Sequence, residues 1–384
     1  MSYNIQTRDE HLANNGTPKR ILALDGGGLR GILTVAILQK IEDLLRKRHG
    51  VSGDFRLCHY FDLIAGTSTG SIIAAALAKG WTVEQIRQKY MALGESVFEK
   101  SWLRQGLLRA KYDESRLIEE LKSVYGENTT LGSPELKTGL LVVTKRLDTG
   151  SPWPVSNNPR GKYYADSKDG SIGNSVYPLW QVVRASTAAP SYFDSQSITI
   201  TDNVQGEFID GGASPFNNPA LQAFMYCTLD GYRIDWPTGA DKLLLVSVGS
   251  GTADPEVKKS QVAAKHAINA LVSLMDDCAS LQETLLQWMS TSTTAREIDS
   301  EIGDLSHDLV AAAPLLSYLR YNVNLRKDSL QKLDPTLTDD ELIESLSAMD
   351  APENMSLLHK LGTLAAEQQV RDDDFAAKFD LLIN

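Results

Sequence analysis

The residues best placed to do chemistry are a serine and an aspartate, each set among glycines. Ser68 stands in Gly66-Thr67-Ser68-Thr69-Gly70, which fits the G-x-S-x-G turn that lifts a nucleophilic hydroxyl between a strand and a helix. The flanks agree, with residues 60–65 reading as a buried strand and residues 71–79 as an Ala-rich helix stopped by Gly80. A turn this sharp brings backbone against backbone, so glycine is needed two residues either side. The serine then sits at a helix N-terminus, where the dipole and the N–H of Thr69 stabilise negative charge on a reacting acyl oxygen.

A serine needs a base. None of the six histidines follows a strand and turn in the manner of a triad histidine. His266 completes the order Ser68, Asp210, His266, but it lies in the helix-like KKSQVAAKHAINALVSL and reads as a residue of a helix face. Asp210 ends the strand-like Glu207-Phe208-Ile209 and precedes Gly211 and Gly212, which let another backbone or a substrate come close. An aspartate with the ordinary pKa of about 3.9 is a feeble base, so that role requires burial that raises it. Taken alone, the residue is equally a turn-forming strand cap.

A second glycine turn, Asp25-Gly26-Gly27-Gly28-Leu29-Arg30-Gly31, ends a strand at 21–24 and opens a helix. Gly26, Gly28 and Gly31 satisfy the dinucleotide pattern G-x-G-x-x-G. Against that reading, Asp25 would lie near the pyrophosphate and repel it, and no strand end about 20 residues on offers a ribose-binding acid. The same glycines suit an oxyanion hole, because backbone without side chains lets several N–H groups crowd round one oxygen. Arg30 either orients this loop, through backbone carbonyls or Asp25, or is a plain surface arginine.

In combination and in this order, the three segments resemble the patatin-like phospholipases, whose pattern is D-G-G-G-x-R-G, then G-x-S-x-G, then D-G-G or D-G-A. Arg184-Ala185-Ser186-Thr187-Ala188-Ala189-Pro190 and Asn217-Asn218-Pro219 look like that family's segments on either side of the aspartate strand. The resemblance spans roughly residues 20–250. It implies Ser68 as nucleophile, Asp210 as base without a histidine, and an oxyanion held by the amides of Gly26, Gly27 and Gly28 together with Thr69. It also implies cleavage of fatty-acyl esters of membrane glycerophospholipids, with no metal or other cofactor for catalysis. The general layout is similar to bacterial patatin-like effectors of antiviral defence that a cyclic dinucleotide activates; no residue is assigned to that ligand. The competing expectations are a catalytically idle storage or interaction protein on the same fold, and a Rossmann-type dinucleotide-binding protein. Intact Ser68, Asp210 and loop glycines weigh against idleness.

An α/β body must position these residues. With 42% hydrophobic and 23% charged residues, a 384-residue chain has ample material for a large core. Strands expected at 21–24, 60–65, 139–144, 207–209 and 242–248 alternate with helices, which argues for a mainly parallel central sheet flanked by helices, the three-layer patatin-like fold. Residues 1–19 read as a loose polar arm, 20–250 as the catalytic core, and 251–384 as a C-terminal helical region packed on that core, serving regulation, homo-oligomerisation or simply more core. Thr82 with Gln85 and Thr338 with Glu341 are capping boxes. Residues 147–178 form a long loop rich in Gly, Pro, Ser and Asn, with at most one short strand. The basic, aromatic stretch 98–112 reads equally as a lipid contact or as ordinary helix packing, and Trp153 in the long loop is a second candidate lid.

The net charge of −11 is concentrated at residues 334–384, where twelve acids face three bases, so no basic face exists for a nucleic-acid polymer. That acidic end, including Asp372, Asp373 and Asp374, reads as solvated helix surface. Cys58, Cys227 and Cys278 are odd in number and scattered, which suits a reducing compartment. The first twenty residues hold no apolar signal core, and the longest uncharged stretch, between Asp62 and Lys79, is too short to span a bilayer. The expectation is a cytoplasmic protein that acts peripherally on the inner face of the membrane.

Overall fold

In the computed structural model, which describes residues 3–50, 55–97, 114–167, 170–190, 192–252 and 263–382, the strands form a single sheet. In chain order they are β1 (Lys19–Leu24), β2 (Leu63–Thr67), β3 (Gly139–Arg146), β4 (Pro152–Ser156), β5 (Gln196–Thr201), β6 (Val204–Asp210), β7 (Leu243–Val248), β8 (Ser290–Thr291) and β9 (Leu316–Tyr321). The helices are α1 (Arg8–Leu12), α2 (Gly31–Arg48), α3 (Leu57–Tyr60), α4 (Thr69–Ala78), α5 (Val83–Val97), α6 (Glu114–Tyr125), α7 (Leu179–Ser186), α8 (Ala220–Thr228), α9 (Ala263–Met289), α10 (Lys327–Leu333), α11 (Asp340–Ser345) and α12 (Met355–Gln369).

β1 lies at the centre, parallel to β2 on one side and to β7 on the other, and every one of its residues is buried. A strand covered on both faces tolerates an unbroken apolar run, and Ile21–Leu24 supply one. β3 continues the sheet beyond β2, and β9 continues it beyond β7, both in parallel. α4 carries no charged residue and all ten of its residues are buried, so it forms the inner helical layer. The chain is thus α/β with a mainly parallel sheet flanked by helices, as the alternation of elements predicts.

The register along β3 positions the site. β2 and β4 both pair with Leu141, Val142 and Val143, so they lie on opposite edges of β3. β4 and β6 both pair with Thr144 and Lys145, so β6 lies on the edge that β2 occupies. β2 and β6 therefore meet end to end along one edge, with Thr67 opposite Val143 and Asp210 opposite Thr144. Ser68, the residue after Thr67, and Asp210, 142 residues apart in sequence, thus come beside each other.

Several expectations require correction. Residues 251–384, read as consecutive helices, contribute β8 and β9 to the sheet, because Leu316, Tyr318, Leu319 and Tyr321 form a buried strand against β7. The arm expected at 1–19 is not loose over its described residues 3–19: Leu12 is buried, and His11 is buried against Asp62 with Nδ1 2.8 Å from Oδ1. Tyr60, the expected first residue of the second strand, instead ends α3, and β2 begins at Leu63 and runs on to Thr67. The box at Thr82 and Gln85 is present, but α11 is capped by Asp339 instead of Thr338, its carboxylate accepting from the N–H groups of Glu341 and Leu342. Trp153 belongs to β4 and stacks on Phe208 with ring centres 5.0 Å apart, which ties it to the sheet instead of freeing it as a lid. Asp374 is buried, accepting from the hydroxyls of Thr293 and Tyr321, so the acidic triplet is only partly solvated. The stretch 98–112 lies outside the described residues. Among the described residues no helix is long and apolar enough to cross a membrane.

Candidate functional site

Ser68 sits between β2 and α4 with φ 53° and ψ −129°, a left-handed conformation that a non-glycine residue adopts only under constraint. The constraint is visible on both sides. Its N–H donates to Ser186 Oγ at 2.8 Å, and that hydroxyl donates to the carbonyl of Val143 at 2.6 Å. Its carbonyl accepts from the N–H and the hydroxyl of Ser71 at 2.8 and 2.6 Å. The flanking glycines are there for space, since a Cβ on Gly66 would overlap the Gly70 carbonyl and one on Gly70 would overlap the carbonyls of Leu24 and Asp25.

The Ser68 hydroxyl donates to Asp210 Oδ2 at 2.5 Å. Oδ1 of the same carboxylate accepts the Gly212 N–H at 2.7 Å, which fixes its orientation. Gly211 lies flush against the Val143 carbonyl, with no room for a side chain. Asp210 is buried. Burial raises its pKa to about 6, against the opposing pull of the hydrogen bonds from Ser68 and Gly212 and the charge of Arg184. Chemically the pair is a hydroxyl held by a carboxylate whose proton affinity lies close to neutral pH.

The glycine loop packs behind the serine, but its four candidate donors are not equivalent. The Gly26 N–H donates to the carbonyl of Asn217 at 3.1 Å, and the Gly27 N–H to the Thr69 hydroxyl at 3.2 Å. Gly28 and Thr69 each open a helical turn, where an N–H has no intrahelical acceptor, and neither donates elsewhere among the described residues. Gly27, Gly28 and Thr69 line the cavity beside Ser68, whereas Gly26 does not. The donor set thus narrows to Gly28 and Thr69, with Gly27 adjacent. Tyr90 steadies the loop by donating to the Gly28 carbonyl at 2.6 Å, and its ring end fills the space over Gly31.

Arg30 is buried and donates to the Ser347 carbonyl at 3.3 Å, so of its expected roles the carbonyl contact is present and the Asp25 contact is not. Asp25 is instead gripped by Arg320 of β9, at 3.0 and 2.6 Å through its two terminal nitrogens. Sequence reasoning missed Arg320 and Tyr90, neither of which stands in a local pattern that announces its role, and it noted the segment 184–190 without assigning Ser186 its bond to the Ser68 N–H. Asn217 donates to the Gly26 carbonyl at 3.3 Å, as a strap on the loop, and Asn218 accepts from the Ala220 N–H. His266 falls in α9 with its side chain outside the described residues, and no histidine lines the cavity among those described.

Ser68 and Asp210 open onto a cavity of about 370 Å³ whose lining is mainly apolar, with Ile72, Leu93, Leu117, Phe193, Val272 and Met275 among its walls. A family model described as patatin-like phospholipase matches residues 22–224. The chain belongs to that family. The patatin-like phospholipase relatives include the cGAMP-activated phospholipase of Vibrio cholerae serotype O1, 33% identical over 224 residues covering 55% of this chain and 58% of that protein. The cGAMP-activated phospholipase of Escherichia coli is 28% identical over 253 residues, covering 64% of this chain and 66% of that one, so the chain spans less than two thirds of either protein. Patatin-like protein 2 of Oryza sativa subsp. indica is 28% identical over 395 residues, covering 93% of this chain and 87% of that protein. This last likeness runs through the part of this patatin-like chain that carries β9.

Proposed function

We infer that this chain is a serine acyl hydrolase that releases fatty acid from membrane glycerophospholipids, with Ser68 as nucleophile and Asp210 as base. The observation that carries the reading is the 2.5 Å hydrogen bond between the two, at the mouth of an apolar cavity suited to an acyl chain. In the first half-reaction Asp210 takes the Ser68 proton while Oγ attacks the ester carbonyl carbon. The oxyanion forms against the N–H groups of Gly28 and Thr69, and on collapse the leaving lysolipid oxygen takes the proton from Asp210. Water, deprotonated by the same carboxylate, then releases the fatty acid from Ser68. The names of the Vibrio and Escherichia relatives support a cyclic dinucleotide as activator. Such a switch suits an antiviral effector working on the inner face of the membrane, because an always-active phospholipase would consume the cell's own bilayer.

The test is fatty-acid release from mixed phospholipid vesicles by wild type and Ser68→Ala, each with and without a panel of cyclic dinucleotides. Release is expected only from wild type and chiefly with one nucleotide, with Ser68→Ala lower by roughly 10⁴-fold or more. Ser68-dependent release indifferent to every nucleotide would leave the hydrolase and remove the switch. No release from folded protein under any condition would favour an idle scaffold.

The raised pKa adds a pH signature. The base must be ionised, so kcat/KM on a soluble short-chain ester should rise with pH, reach half its maximum at about 6, and level off above it. A profile flat from about pH 5 to 8 would take the role of base away from Asp210.

A further inference from the structure

We propose that a second, polar cavity, walled by α9, β9 and the segment after α12, is the binding site of the activating cyclic dinucleotide, and that Arg320 links it to the oxyanion loop. The proposal rests on the switch half of the reading above and assigns it a place.

This cavity measures about 870 Å³ and shares α9 with the catalytic one. Val272 and Met275 face the acyl cavity, whereas Asp276, Ser280 and Glu283 face the polar one, so a single helix forms the partition. Arg296, Arg326 and Arg371 stand exposed at the rim, and Arg320 lies at the floor with its side chain only 7% exposed. Planar guanidinium groups match phosphate oxygens two at a time. Between them the walls carry Asn324, Gln368 and the exposed carboxylates of Asp277 and Asp373, groups that hydrogen-bond the edges of nucleobases.

Two of the arginines already hold an acid, Arg296 with Glu283 and Arg320 with Asp25, so a phosphate at either must compete with that carboxylate. Glu283 is held by Arg296 at 2.9 Å, and Asp374 accepts from Thr293, Tyr321 and the Arg371 N–H. Burial raises the pKa of Asp276, which works against its charge. A ligand made of phosphate alone would use only the basic part of this wall. One with phosphodiesters and two bases would use all of it.

Arg320 belongs to both sites. Its terminal nitrogens hold Asp25, the residue before Gly26, Gly27 and Gly28, while its Nε has no hydrogen-bond partner among the described residues. A phosphate that draws this guanidinium toward the cavity loosens its grip on Asp25 and so moves the loop that carries the Gly28 N–H. The α9 partition offers a second route, through Met275.

The experiment titrates cyclic GMP–AMP calorimetrically into the full chain, with inorganic phosphate and a mixture of AMP and GMP as separate arms. Wild type is compared with Arg326→Ala/Arg371→Ala, whose melting temperature without ligand reports on its fold. The expected result is tight binding of the cyclic dinucleotide alone, weakened at least about tenfold in the double variant together with loss of nucleotide-stimulated release. In wild type, hydrogen exchange should slow at 290–296, 320–326 and 368–374 when the nucleotide is added. Equal affinity in the double variant, or slowing confined to other segments, would overturn the placement. Equal binding of inorganic phosphate would overturn the ligand class. No nucleotide binding by wild type would overturn both cavity and switch, while Ser68-dependent release from vesicles would leave the hydrolase standing.

Discussion

Asp210→Asn will lower turnover by roughly 10⁴-fold, as expected when an oriented base is lost, and will at the same time leave the protein as stable or more stable at pH 8. The amide fits the same contacts, with Oδ1 accepting from Gly212 and Nδ2 donating to Ser68 Oγ, so the fold has no reason to change. The gain follows from the sign of the shift. Folding raises the Asp210 pKa from its ordinary value to about 6, so the native state holds this proton more tightly than the unfolded chain. Its stabilising contribution is complete below about pH 4, falls as pH rises to about 6, and is absent above that, a difference of order 3 kcal/mol. Asparagine has no such fall. Melting temperatures of the two proteins, measured from pH 4 to 8, should therefore diverge between about pH 4 and 6 in favour of the variant and then run parallel. Curves parallel throughout would mean that the carboxylate is not held as described.

Arg320→Met is the other large effect, and it acts on stability. The substitution leaves the Asp25 carboxylate buried without its cation, and breaking a buried pair by removing one partner costs about 3–5 kcal/mol. It also removes the donor that Arg320 offers to Ser247 Oγ at 2.7 Å. The midpoint of urea unfolding should fall accordingly, and Asp25→Asn added in the same chain should restore more than half of the loss by taking away the stranded charge. If the single variant unfolds like wild type, the pair contributes little and the link between β9 and the glycine loop is weak.

How far the sequence reaches depends on the distance over which a residue acts. The elbow at Ser68 and the turn at Asp210 were legible because their chemistry is local: glycines at fixed offsets, a strand before and a helix or further glycines after. The register that joins them was not legible, since it is set by pairing with Val143 and Thr144 of a third strand. The start of β2 falls three residues later than the run 60–65 suggests, because Tyr60 and Phe61 are as apolar as the strand and do not mark where the α3 turn yields to it. β9 was lost among helices because its partner β7 lies some seventy residues upstream, and nothing local distinguishes Leu316–Tyr321 from a buried helical stretch. The glycine loop was legible as a turn beside the serine, but the Gly26 N–H is spent on Asn217, a long-range bond invisible in the motif.

The place of β9 bears on how the protein is made. Ser68, Asp210 and the whole glycine loop are synthesised before Arg320, yet Asp25 at the root of that loop is buried against this one cation. Until residue 320 has left the ribosome, the nascent chain holds Asp25 without its cation beneath the glycine loop and an open edge on β7. A chain released before residue 316 would carry every motif residue and the strands that align Ser68 with Asp210, but it would lack β9 and the cation that holds Asp25.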